Sequence, residues 1–179
     1  MLEQDNMPTL QTLIAKIEHV GSSSLQVALS RFNRQCGRED LADRLIDALI
    51  AFEALYLRGA REELGYRLAL RGAAHLGGRG THTRAEVFEL LRTAYALRGE
   101  IAHGVIADLP QAKAVRKAGW ACADDMLTSL TDLLRLALRL VLLDIGEQAF
   151  NTEFHATLDK SIVSGEFEAA GMSTADGLG

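Results

Sequence analysis

Apolar residues recur along this chain mostly at i, i+3 and i+4 spacing, the pattern of helices that each bury one face. Leu10, Leu13, Ile14 and Ile17 predict a first amphipathic helix over 9–20. Gly21 and three serines break it, and Ser23 or Ser24 is placed to N-cap a second helix that runs to about Gln35 and stops at Gly37. This pair reads as a lid or a dimerisation arm on a main body that begins near Glu39. There Leu41, Leu45, Ala48, Leu49, Phe52 and Leu55 form a stripe that ends at Gly59. A helix over 62–76 follows, closed by Gly77 and Gly78, either of which suits a left-handed C-cap. Thr83, with Glu86 three residues on, has the capping-box pattern. It opens a helix through Val87, Leu90, Leu91, Ala94 and Tyr95 that reaches Arg98 and His103, with Gly104 placed to end it. Asp108-Leu109-Pro110 predicts a turn. Trp120, Leu127, Leu130, Leu134, Leu138 and Val141 predict one long helix over 113–150, the spine of a bundle. A short helix near 153–161 follows, and a tail rich in Gly, Ala, Ser and Glu reads as disordered. The chain thus divides into a helical extension over 1–37, a bundle over 38–150, a short helix within 151–163 and a disordered tail over 164–179.

Composition supports an all-α class. The 48% apolar fraction suffices for a core in one domain of 179 residues, and two prolines leave helices uninterrupted. Cys36 and Cys122 are far apart with no CxxC spacing and read as two small buried hydrophobes in a reducing cytosol. The polar, acidic start MLEQDN does not resemble a signal peptide. The most apolar stretch, 126–145, carries Asp132, Arg135, Arg139 and Asp144, which favours a core helix over a membrane span. These readings place the protein in the cytoplasm, away from membranes. Net charge is −5, but 58–98 holds eight arginines against four glutamates, a local +4 on a body of −9. That distribution permits selective binding of RNA. It is equally what solvated helix faces with paired charges would show.

None of the five histidines forms an HxxxH or HExxH pair, and no Gly-x-x-x-x-Gly-Lys loop is present, so neither a metal nor a nucleotide cofactor is expected. His19, His82 and His155 default to surface or loop roles. His75 is a partial exception, one turn beyond Arg71. His103 differs in following Arg98 by five residues. On a straight helix the two side chains lie about 140° apart, but arginine is long and Gly99 permits local distortion. A histidine at a helix end feels the negative end of the dipole, which favours its charged form. Such a group suits proton transfer at an RNA 2′-hydroxyl or 5′-oxygen, and a guanidinium binds phosphate in two places.

Three stretches place this pair in company: Leu45-Ile-Asp-Ala-Leu-Ile-Ala-Phe-Glu-Ala-Leu-Tyr56, Glu63-Leu-Gly-Tyr-Arg-Leu-Ala-Leu-Arg71, and Glu86-Val-Phe-Glu-Leu-Leu-Arg-Thr-Ala-Tyr-Ala-Leu-Arg98, continuing to Ile101-Ala-His-Gly104. In content and order they resemble the Apea-like branch of the HEPN superfamily, over about residues 38–145. The resemblance implies an up-and-down helical bundle, commonly a homodimer, and a metal-independent endoribonuclease acting in defence or toxin-type regulation. It implies that Arg98 holds the scissile phosphate and His103 is the general acid or base. In-line attack by the 2′-hydroxyl would then leave a 2′,3′-cyclic phosphate. Glu53, Arg67 and Arg71 match positions in the family's other two motifs, and either line the same cleft or pair with one another as a buried ion network. The residue after the motif arginine is usually polar in catalytic members. Here it is Gly99, and the nearby Glu100 faces about 100° away from that position. The alternative implied by the resemblance is a non-catalytic module that binds RNA or an unidentified partner protein.

Overall fold

A computed structural model describes residues 7–104, 113–117 and 119–165, and among these every regular element is helical. The predicted Asp108-Leu109-Pro110 turn and the tail beyond Gly165 lie outside the described residues. Helices α1 (Met7–Glu18) and α2 (Ser23–Cys36) precede α3 (Leu41–Tyr56), α4 (Leu64–Leu76) and α5 (Arg84–Ala102). Short α6 (Lys113–Lys117), then α7 (Ala123–Leu140), α8 (Glu147–Thr152) and α9 (Phe154–Ser164) complete the order. No helix among the described residues is long and apolar enough to cross a membrane.

The α3 stripe lies at the centre of the core. Leu45, Leu49, Phe52 and Leu55 are fully buried, with Leu68 and Leu76 of α4, Leu91 and Leu97 of α5, and Leu127, Leu130 and Leu134 of α7. Leu25 and Ala28 of α2 join the same core. A buried carboxylate ties α2 to α3: Asp47 accepts from Arg31 and Arg38, each at 2.7 Å. The second helix of the N-terminal pair is therefore woven into the bundle. The first is attached more lightly: α1 turns Leu13 to the core and Lys16 donates to the Leu142 carbonyl at 2.8 Å, but Leu10, Ile14 and Ile17 stay exposed.

Helix boundaries follow local chemistry. The Thr83–Glu86 capping box forms as expected, with the Thr83 amide donating to Glu86 Oε2 at 2.7 Å. Gly78 takes φ +80° after α4, and Gly104 takes φ +69° after α5. Asp40 caps α3, accepting from the Asp43 amide at 2.8 Å. α4 begins at Leu64 rather than at residue 62, because Glu63 sits in the left-handed region, φ 51° and ψ 39°. For a non-glycine residue that conformation costs about 1–2 kcal/mol.

Two expectations need correction. The spine over 113–150 is not one helix. Gly119 (φ +88°) separates α6 from α7, a π turn over Val141–Ile145 follows α7, and Gly146 (φ +79°) separates that turn from α8. Apolar spacing alone does not register glycines that leave helical space. The cysteines are not buried either. Both are exposed, and Cys122 is the N-cap of α7, its Sγ accepting from the Asp125 amide at 3.5 Å.

Candidate functional site

Arg98 lies in the last turns of α5, facing the C-terminal half of α3. Its Nη1 stands 3.5 Å from Glu53 Oε1, and its guanidinium lies 5.7 Å from the Tyr95 ring centre. The arginine side chain remains 32% exposed and the glutamate 23%. Both are thus held by the fold yet reachable from solvent. Burial pushes the Glu53 carboxyl above the usual range, and Arg98 offsets only part of that. Tyr95 is also pushed up, by burial first and then by the Glu53 charge.

Tyr95, a core position by its spacing, stands beside the Glu53–Arg98 pair instead. It stands one turn before Arg98 on the same face, and Gly65 of α4 makes room for its ring. A Cβ on Gly65 would lie 2.6 Å from Tyr95 Cδ1. The Glu53–Tyr95–Arg98 cluster thus depends on three helices packing together.

His103 is the C-cap of α5, with φ −91° and ψ 5°, and its amide donates to the Gly99 carbonyl at 3.0 Å. It is exposed, at the same end of α5 as Arg98. Glu100 is half-buried on the last turn of α5, and the carboxylate that pairs with Arg98 is that of Glu53.

Arg67 and Arg71 stand elsewhere. They line an open groove of roughly 300 Å³ between α4 and α9, with Tyr66, Leu70, Ile162 and Val163. Arg71 is almost fully buried. It donates Nε and Nη2 to the two Asp159 oxygens, both at 2.7 Å, and Nη1 to the Tyr56 carbonyl at 2.6 Å. The expected network among Glu53, Arg67 and Arg71 does not form, because Arg67 and Arg71 line the groove between α4 and α9 and Glu53 does not: Glu53 pairs with Arg98, and Arg71 with Asp159. The hydrogen bond from Arg71 holds Asp159 below the usual carboxylate range.

The histidines also divide. His75 is buried, its Nδ1 2.8 Å from the Tyr56 hydroxyl and its ring edge-on to Phe154. Its Nε2 has no hydrogen-bond partner. Burial pushes it down to about 3. His155, expected at the surface, is half-buried with Nε2 2.8 Å from the Leu55 carbonyl, and burial lowers it too. Among the described residues, no three His, Cys, Asp or Glu side chains are grouped to hold a metal ion. No protein-family model, curated protein or solved structure matches this chain.

Proposed function

We propose that this protein is a metal-independent endoribonuclease built on a HEPN-type, Apea-like helical bundle, active as a homodimer on RNA in the cytoplasm and serving defence or toxin-type regulation. The observation that carries this reading is the placement of Arg98. A guanidinium one-third open to solvent stands 3.5 Å from a carboxylate of α3, with an exposed histidine at the C-cap of its own helix. Such a guanidinium can bind a phosphodiester and neutralise charge developing on it. An imidazole at the same helix end can move the proton that transesterification requires.

A second reading is favoured by the Glu53–Arg98 pair. A guanidinium already engaged by a carboxylate can serve a non-catalytic module that binds RNA or a partner protein. Incubation of the purified protein with RNA in EDTA separates the two. The ribonuclease reading expects products with 2′,3′-cyclic phosphate ends, and their loss in His103→Ala with the helical spectrum unchanged. Salt-sensitive binding without product would favour the binding module. Undiminished cleavage by His103→Ala would remove His103 from the chemistry.

A further inference from the structure

In-line transesterification of RNA requires two proton transfers on opposite sides of phosphorus. A base takes the proton of the attacking 2′-hydroxyl, and an acid protonates the departing 5′-oxygen. The Arg98–His103 pair supplies one titratable group for two tasks. The residue after the arginine is Gly99, which offers no side chain, and packing does not demand glycine there, since a Cβ would meet nothing within 4 Å.

Resting on the ribonuclease reading above, we propose that the Glu53 carboxylate, held 3.5 Å from the Arg98 guanidinium, is the general base, and that His103 is the general acid. The separation exceeds the 2.7–2.9 Å of a tight charge-assisted hydrogen bond. The pair is therefore loose, and the guanidinium keeps donors for a phosphate on its open edge. A phosphate seated there brings the adjacent 2′-hydroxyl within reach of the carboxylate. Glu53 is supplied by α3, whereas His103 is supplied by the C-cap of α5. In the proposed site the two groups serve attack and departure from different elements. The ionisable side chains coupled to Glu53 are Arg98 and Tyr95, both of α5. Partial burial lifts the carboxyl towards working pH, which strengthens it as a base.

The step balances. Glu53 takes the 2′-hydroxyl proton, the 2′-oxygen bonds to phosphorus, the bond from phosphorus to the 5′-oxygen breaks, and protonated His103 gives its proton to that oxygen. A cyclic phosphate and a 5′-hydroxyl leave, and solvent resets both side chains.

The test uses an RNA with one 5′-bridging sulfur at the cleavage site, a leaving group that needs no acid, beside the ordinary RNA. On ordinary RNA, Glu53→Gln and His103→Ala each lose about 10²–10⁴-fold in rate. On the sulfur substrate His103→Ala recovers to near wild type and Glu53→Gln does not. The rate of His103→Ala on that substrate falls at low pH in one step, and adding Glu53→Gln abolishes the step. Glu53→Asp, which keeps a base but draws it back, retains cleavage about 100-fold slower and guards against misfolding of the glutamine variant. Full activity of Glu53→Gln, rescue of that variant by sulfur, or a low-pH step that survives it would overturn the assignment while leaving the ribonuclease reading intact. A wild-type protein that cleaves neither RNA removes both.

Discussion

Replacing Arg71 by methionine tests whether that arginine belongs to the fold or to an RNA cleft. Methionine preserves most of the buried stem and removes the guanidinium, so the loss is of hydrogen bonds more than of packing. Three go: two to Asp159 at 2.7 Å and one to the Tyr56 carbonyl at 2.6 Å. The Asp159 side chain is 47% exposed, so solvent screens the ion pair and its loss costs about 1 kcal/mol. The Tyr56 carbonyl sits at the buried end of α3, and stranding it costs a further 1–2 kcal/mol or so. The total is about 2–3 kcal/mol. For a domain of this size each kcal/mol lowers Tm by about 2–4 °C, so the melting temperature drops by about 5–10 °C. Thermal unfolding followed by circular dichroism reads this directly. Asp159→Asn loses less, and the double variant loses less than the sum of the two, because both remove one shared interaction. A melting temperature within about 1 °C of wild type, with RNA binding weakened, would refute the reasoning and return Arg71 to the cleft.

The buried His75 makes stability depend on pH in the neutral-to-acid range. Its folded value, about 3, lies below the usual 6.5, so the unfolded chain takes up the proton first and stability falls as pH drops below about 6.5. Between pH 7 and pH 5 His75 contributes a loss of about 2 kcal/mol, measured as a shift in urea midpoint, and His75→Leu reduces the slope to what His155, also lowered by burial, leaves; an unchanged slope would exclude His75 as a cause. Gly65→Ala sets a helix-propensity gain of about 1 kcal/mol against the displacement of the Tyr95 ring, which costs about 1–3 kcal/mol. We expect a net loss of about 1 kcal/mol in a denaturant titration and, on the proposed RNA reading, weakened RNA binding as Tyr95 shifts beside Arg98; a stabilised variant would show that the Gly65–Tyr95 contact does not shape the site.

Local features of the chain were legible without any structure. The α3 stripe, the Thr83 capping box, the glycine stop at Gly78 and the end of α5 at Gly104 each follow from a few neighbouring residues, because caps and amphipathic faces are short-range properties. The same holds for Arg98 and His103 at one end of a single helix. What tertiary packing decided is which charges meet. Glu53 and Arg98 lie 45 positions apart, and Arg71 and Asp159 lie 88 apart. One-dimensional spacing cannot pair them; the packing of α3 against α5 and of α4 against α9 does. The broken spine shows the same limit from another side, since spacing does not reveal which glycines take a positive φ, as Gly119 and Gly146 do. So the sequence determined an all-α chain with an arginine and a histidine at one helix end. The structure decided that the carboxylate beside that arginine is Glu53, while Arg71 is bound to Asp159 of α9 and Arg67 lines the same groove.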